Sequence, residues 1–349
     1  MAVDVRKERG IARRIFGGRR IWLQIALTAA FIGVLAWRVN IGDAISTFSQ
    51  VRYGWVVPAL VIFSLSKFIH SYRWQLTLEK TEQAPVAELF GIYLVSNMTN
   101  SAVPLRLGDL MRIQIPAKRF GIPRAELTAS VFVVETVLDG FTFLVLILAV
   151  VSFLDLPGLS RGLLWGVCGG AAIGFVLTLI LARFRPPTNL ADSRWLRVFS
   201  EDLRGHIARI VPQFLDGLEA MRDPRRMARA IAVSFPAWLV EAVMFWFFGL
   251  AFGLDLAPHK YIIIMITANL IVAVPITPWN IGTYEVALQE VIAALGVDRS
   301  LAAGYAIGIH IFSIMWITFT GLVSVWLLRL SLRDVLFLGR GAPVDADGG

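Results

Sequence analysis

Cysteine is nearly missing from this chain: Cys168 is the only one in 349 residues. An internal disulfide is therefore excluded, as is any metal site built on a cysteine cluster. Charge is also scarce. Charged residues make up 17% of the sequence, hydrophobic residues 57%, and the mean hydropathy is +0.69. Soluble domains sit nearer ~45–50% apolar. The longest polar stretch, about 183–229, is short for an enzyme domain. The sequence has no Walker loop, no G-x-S-x-G, no H-E-x-x-H and no dinucleotide fingerprint. No cofactor or metal is expected, and ATP-driven work would need a separate partner.

What the sequence does have is apolar runs, several approaching the roughly 20 residues that cross a hydrocarbon core. They lie at about 21–38, 54–72, 89–104, 127–153, 162–183, 230–252, 260–276, 281–296 and 303–328. The fold class is all-α: a polytopic membrane protein. The formal net charge of +8 falls on residues flanking these runs. It points to membrane topology and anionic lipid headgroups, not to nucleic acid.

Lys and Arg in short loops mark the cytoplasmic side. The basic tail 1–20, the arginine-rich 183–229 connection and the 331–349 tail all belong inside by this rule. Segment 21–38 is too long for a signal-peptide core and lacks a small-residue cleavage site, so it is expected to be a retained span. The expected organisation is one integral membrane domain in a cytoplasmic membrane, with both termini inside. A first half covers 21–182 and a second 230–330, and an interfacial amphipathic connection joins them. About six runs are full spans. Segment 89–104 must enter and leave on the inside or lie in the interface, and 260–302 must start and end outside. Segment 89–104 and the first part of 260–302, to Pro275, end in an Asn and then Ala-Val-Pro, which suits short broken or re-entrant helices or, for 260–296, two short crossings.

The two halves echo each other. Asn97, Asn100 and then Ala102-Val103-Pro104 end one short segment; Asn269 and then Ala273-Val274-Pro275 end the other. A P-x-x-x-G follows each, Pro104 to Gly108 and Pro278 to Gly282, and then an acid, Asp109 or Glu285. The readings are an inverted-topology repeat, with its binding site at the interrupted segments, or chance recurrence of patterns common in apolar chains.

Three groups are candidates for chemistry. Glu135 and Asp139 lie four residues apart inside an apolar run, on one helix face. Two acids that close repel each other, so one is expected to hold a proton or both to find arginines. Pro104, Arg106, Gly108, Asp109 and Arg112 form P-x-R-x-G-D-x-x-R. Here the proline ends a helix, the glycine permits a turn and the guanidinium forks suit an anionic phosphate. Pro278 through Glu285, with Asn280 and Gly282, combines a helix break with a turn glycine and an acid, and Thr283 is the expected helix cap. Lys67, His70 and Arg73 read as side chains snorkelling to headgroups. Glu241 is a further candidate for the polar cavity, and His310 reads as a packed, hydrogen-bonded histidine.

These motifs, in this order, resemble the lysylphosphatidylglycerol synthase transmembrane family of flippase-like integral membrane proteins. The family's P-x-R-x-G-E/D-x-x-R element is matched at Pro104, Arg106, Gly108, Asp109 and Arg112. Its acids are matched at Glu135 and Asp139, with Thr136 where Arg is common. Its second element is matched at Thr277, Pro278, Gly282 and Glu285, with Trp279 where Gly is common. The resemblance implies membrane-lipid partners. Members that synthesise lipid carry a soluble aminoacyl-transfer domain after the membrane part. No such domain follows here, so movement of lipid is the implied role, with a lipid-modifying enzyme as an implied partner. The expectation is a flippase-like transporter of a lipid or lipid-linked glycan. Arg106 and Arg112 would hold an anionic headgroup, and the two asparagines of the first segment, Asn269, Pro275 and the second motif would line the cavity. A membrane-embedded transferase and a non-transporting partner of a lipid synthase are the alternatives.

Overall fold

A computed structural model describes residues 48–79, 83–102, 107–151, 223–273 and 277–330, together with isolated positions 33, 169, 173 and 180. The expected spans 21–38 and 162–183, the amphipathic connection, and Pro104, Arg106, Cys168 and Pro275 lie outside the described residues. Every regular element among the described residues is helical.

The first half contributes α1 (Tyr53–Leu76), α2 (Val86–Ala102), α3 (Gly108–Phe120), α4 (Arg124–Phe132), a π-helical turn (Val133–Leu138) and α5 (Asp139–Val151). The second half contributes α6 (Pro224–Phe252), α7 (Lys260–Ala273), a 3-10 turn (Pro278–Asn280), α8 (Thr283–Ala294) and α9 (Arg299–Leu327). Among the described residues, four continuous helices are long and apolar enough to cross a membrane: α1, the run Arg124–Val150, α6 and α9. The chain is an integral, all-helical membrane protein.

The long helices begin and end on local chemistry. Asp223 caps α6 by accepting from the amides of Arg225 at 2.9 Å and Arg226 at 3.4 Å, with Pro224 at the first helical position. Proline costs nothing there, because that amide has no partner within the helix. Gly253, at φ 73°, ends the same helix, a left-handed closure that glycine adopts without steric cost. Asp298 caps α9 through the amides of Ser300 and Leu301. Helix α6 therefore starts at residue 224, six residues before the apolar run itself.

The internal echo extends through the described helices. Val86 and Lys260, which start α2 and α7, stand 174 residues apart; Gly108 and Thr283, which start α3 and α8, 175; Arg124 and Arg299, which start α4 and α9, 175. Contacts repeat in the same order. Helix α2 packs on α3 and on α9 of the other half; α7 packs on α8 and on α5 of the other half. The two first helices, α1 and α6, pack on each other along their length. They run antiparallel. The Arg52 amide donates to Ala251 O at 2.9 Å, Ser66 Oγ to Ala237 O at 3.1 Å, and Arg226 Nη1 to Glu79 O at 2.7 Å. Equivalent helices pointing in opposite directions are the mark of an inverted-topology repeat.

Each half also holds a hairpin of short helices, α2–α3 and α7–α8. At ~1.5 Å per residue, the 14-residue α7 and 12-residue α8 fall well short of a ~30 Å hydrocarbon core. From Gly108 the stretch that follows the first broken segment is helix α3. Gly108 is not a turn residue: it has no positive φ. A Cβ there would sit 2.0 Å from Ser96 O and 2.6 Å from Asn100 Oδ1, so the glycine lets α3 lie directly against α2. An Arg119–Glu88 ion pair and Arg119 Nη1 on Leu328 O at 3.2 Å tie α3 to α2 and to the end of α9.

Candidate functional site

A cavity of about 320 Å³ lies where the two halves meet. The first half lines it with Lys67, Asn97, Asn100, Asp109, Glu135 and Asp139; the second half, with Glu241, Asn269, Trp279, Asn280 and His310. Its size is at the small end of the range for ligand sites, roughly 300–1,000 Å³.

Lys67 of α1 and Glu241 of α6 form an ion pair of 2.7 Å on its wall. Both are buried. Glu241 Oε2 also accepts from Ser66 Oγ at 3.1 Å, and Oε1 from Asn269 Nδ2 at 3.0 Å. A buried carboxylate with an ammonium and two further donors avoids the several kcal/mol that a lone ion pays in low dielectric. His70, one turn from Lys67, stands 3.6 Å from Glu241 Oε2 and edge-on to Trp238, with ring centroids 4.5 Å apart.

The two acids of the 127–153 run, Glu135 and Asp139, take separate partners. Glu135 pairs with Arg112 of α3 at 2.5 Å. Asp139 pairs with Arg73 of α1 and accepts from Trp238 Nε1 at 2.7 Å. The reason is the π-helical turn that holds Glu135 and ends just before Asp139. Its wider i→i+5 winding aims the two carboxylates at arginines on different helices, while both residues still reach the cavity. Of the two expectations for these acids, a proton held on one or an arginine for each, the second describes the geometry. Arg112 is buried between the rings of Trp74 at 4.6 Å and Tyr93 at 4.9 Å. It lies behind Glu135 and does not line the cavity. Asp109 accepts from Asn100 Nδ2 at 2.9 Å.

The second motif is a strained turn. Trp279 and Asn280 are both in the left-handed region, at φ 59° and 55°, and Gly282 follows at φ 83°. Only glycine adopts such angles freely; non-glycine residues held there cost about 1–3 kcal/mol each. Thr277 Oγ1 donates to Ile281 O at 2.9 Å and Thr283 Oγ1 to Asn280 O at 2.9 Å, pinning the turn. Gly282, not Thr283, is the cap residue of α8. Glu285 accepts from the Gly282 amide at 2.6 Å and meets His310 Nδ1 at 2.6 Å, and Tyr284 stacks on His310 at 4.2 Å. His310 is hydrogen-bonded and packed, as its sequence setting suggested. Gly108, Gly282 and Glu285 act on the walls from behind.

Lys67, His70 and Arg73 do not snorkel. All three are buried and face the acids of α5 and α6. Their i, i+3, i+6 spacing on one face was the available signal, together with the count of acids in apolar runs that needed partners.

The described residues form a helical bundle of two similar halves with a charged cavity between them, in a polytopic membrane protein. Residues 21–321 match the family described as the lysylphosphatidylglycerol synthase TM region, and the chain belongs to that family. It is 25% identical over 309 residues to the glycosyltransferase AglD of Haloferax volcanii, covering 80% of this chain and 49% of that protein. The chain thus spans about half the length of that relative. A UPF0104 membrane protein of Methanocaldococcus jannaschii is 25% identical, covering 67% of this chain and 95% of the relative. Another, from Methanothermobacter thermautotrophicus, is 21% identical over 81% of this chain and 88% of the relative. No solved structure matches the chain.

Proposed function

We propose that the protein is a flippase-like transporter. It would move the headgroup of a lipid or lipid-linked glycan across a cytoplasmic membrane in which both its termini face inside. The observation that carries this reading is the position of the cavity. It lies between inversely related halves, at the interrupted helices and around an ion pair contributed by both first helices. That is where alternating-access carriers place their sites. The short hairpins and the strained turn at 277–282 are the elements that would rearrange as the halves rock. The test is headgroup translocation in sealed liposomes. Glu241→Gln and Asp139→Asn should each slow it by at least about tenfold at equal protein insertion; wild-type rates in both variants would refute the assignment.

A second reading is a membrane-embedded transferase acting on a lipid phosphate. It draws on the name of the Haloferax relative, a glycosyltransferase. A transferase forms product in detergent with no second compartment, whereas translocation requires a sealed bilayer. A non-transporting partner of a lipid synthase would tolerate loss of the cavity acids.

A further inference from the structure

We propose that the cavity selects a glycosyl headgroup, an uncharged ring rich in hydroxyls, and that Trp279 is the platform on which the ring lies. The proposal rests on the transport reading and names its substrate class.

The first observation is the strain at Trp279. The largest side chain of all occupies a left-handed backbone position, where glycine would sit without cost. It is not buried as core: Trp279 is 38% exposed and lines the cavity. Strain kept at a ligand-sized cavity is a reason to look for function. An indole face is apolar with a negative quadrupole, complementary to the C–H face of a sugar ring.

The second observation is how charge and amide groups are distributed on the walls. Each charged side chain lining the cavity among the described residues already has a partner: Lys67 with Glu241, Asp139 with Arg73, Glu135 with Arg112, Asp109 with Asn100. The wall amides are not all used. Asn97 Nδ2 and Asn280 Oδ1, on residues that line the cavity, have no protein partner. An amide offers both donors and acceptors. A bare phosphate only accepts and an ammonium only donates. A hydroxyl does both, so a ring with several hydroxyls uses every amide whichever way it turns. The cavity volume suits a small headgroup rather than a long glycan.

The test is binding to the purified full chain in a detergent without a sugar head. The probes are a polyprenyl-phosphate hexose, the same polyprenyl phosphate without the sugar, phosphatidylglycerol, and a water-soluble methyl hexoside. The expected order is tightest for the hexose lipid, by at least about tenfold over both sugar-free lipids. The soluble hexoside should compete weakly, which separates a lipid-borne sugar from a free one. Trp279→Gly should lose about tenfold in affinity for the hexose lipid while its melting temperature stays the same or rises, because the turn relaxes. Trp279→Phe should keep part of the affinity. Asn97→Ala, a good helix former at a helical position, should weaken binding without lowering the melting temperature. Equal binding of sugar-free lipid overturns the proposal, and so does a Trp279→Gly variant that melts lower and binds normally. Selective hexose-lipid binding without translocation in liposomes would instead refute the transport reading and leave the site intact.

Discussion

Lys67 and Glu241 are 174 residues apart and form a 2.7 Å ion pair, and the same interval separates Gly108 from Gly282. They are equivalent positions of the two repeats. Equivalent helices that cross antiparallel bring equivalent residues together near the axis relating them. The echo between the halves has thus placed one cation and one anion against each other on the wall of the cavity.

The pair is buried on both sides, so its two members depend on each other. Lys67→Met or Glu241→Leu alone strands a buried charge and should cost about 3–5 kcal/mol. The double variant Lys67→Met/Glu241→Leu should recover most of that loss. Lys67→Glu/Glu241→Lys should recover part, since Ser66 and Asn269 donate only to the carboxylate at its present place. Melting curves of the purified variants measure each.

Gly108→Ala should lower stability by about 1–3 kcal/mol, the range for overpacking, because the new methyl meets the Ser96 carbonyl of α2. Gly140→Ala meets nothing within 4 Å and lies in a helix, so it should be neutral or slightly stabilising. Thermal melts of the two variants side by side check the contrast.

Arg112→Lys should be a poor substitution. A guanidinium plane between Trp74 and Tyr93 also pairs with Glu135. A lysine ammonium cannot stack as a plane. A loss of about 1–3 kcal/mol is expected from the combined cation–π and charged hydrogen-bond contributions, and chemical denaturation at fixed detergent measures it.

Glu285→Ala removes the carboxylate that joins the Gly282 amide to His310. Loss of a cap costs about 0.5–2 kcal/mol. The effect should be local: hydrogen exchange at the Gly282 amide should speed up by at least about tenfold, while exchange in the middle of α6 stays unchanged.

The sequence by itself determined the class of fold. Apolar runs of spanning length can be satisfied only by helices in a bilayer. The proline- and glycine-broken segments, together with the repeated Asn…Ala-Val-Pro and P-x-x-x-G patterns, marked the short helices 86–102 and 260–273 and the spacing between halves, but not helix α3. The acids at 135, 139 and 241 marked the cavity, because a carboxylate at membrane depth must face something polar. Which partner each acid meets was decided only by tertiary structure. Linear spacing put Glu135 and Asp139 on one face, but the π turn redirected them to Arg112 and Arg73. Local flanking position made Lys67, His70 and Arg73 look like headgroup anchors, but the α1–α6 crossing buried them. The role of Gly108 likewise depended on a neighbour, Ser96, that sequence order does not place beside it. Periodicity and hydropathy are properties of one segment; ion pairs, close approaches and the strained left-handed turn at Trp279 come from how segments pack.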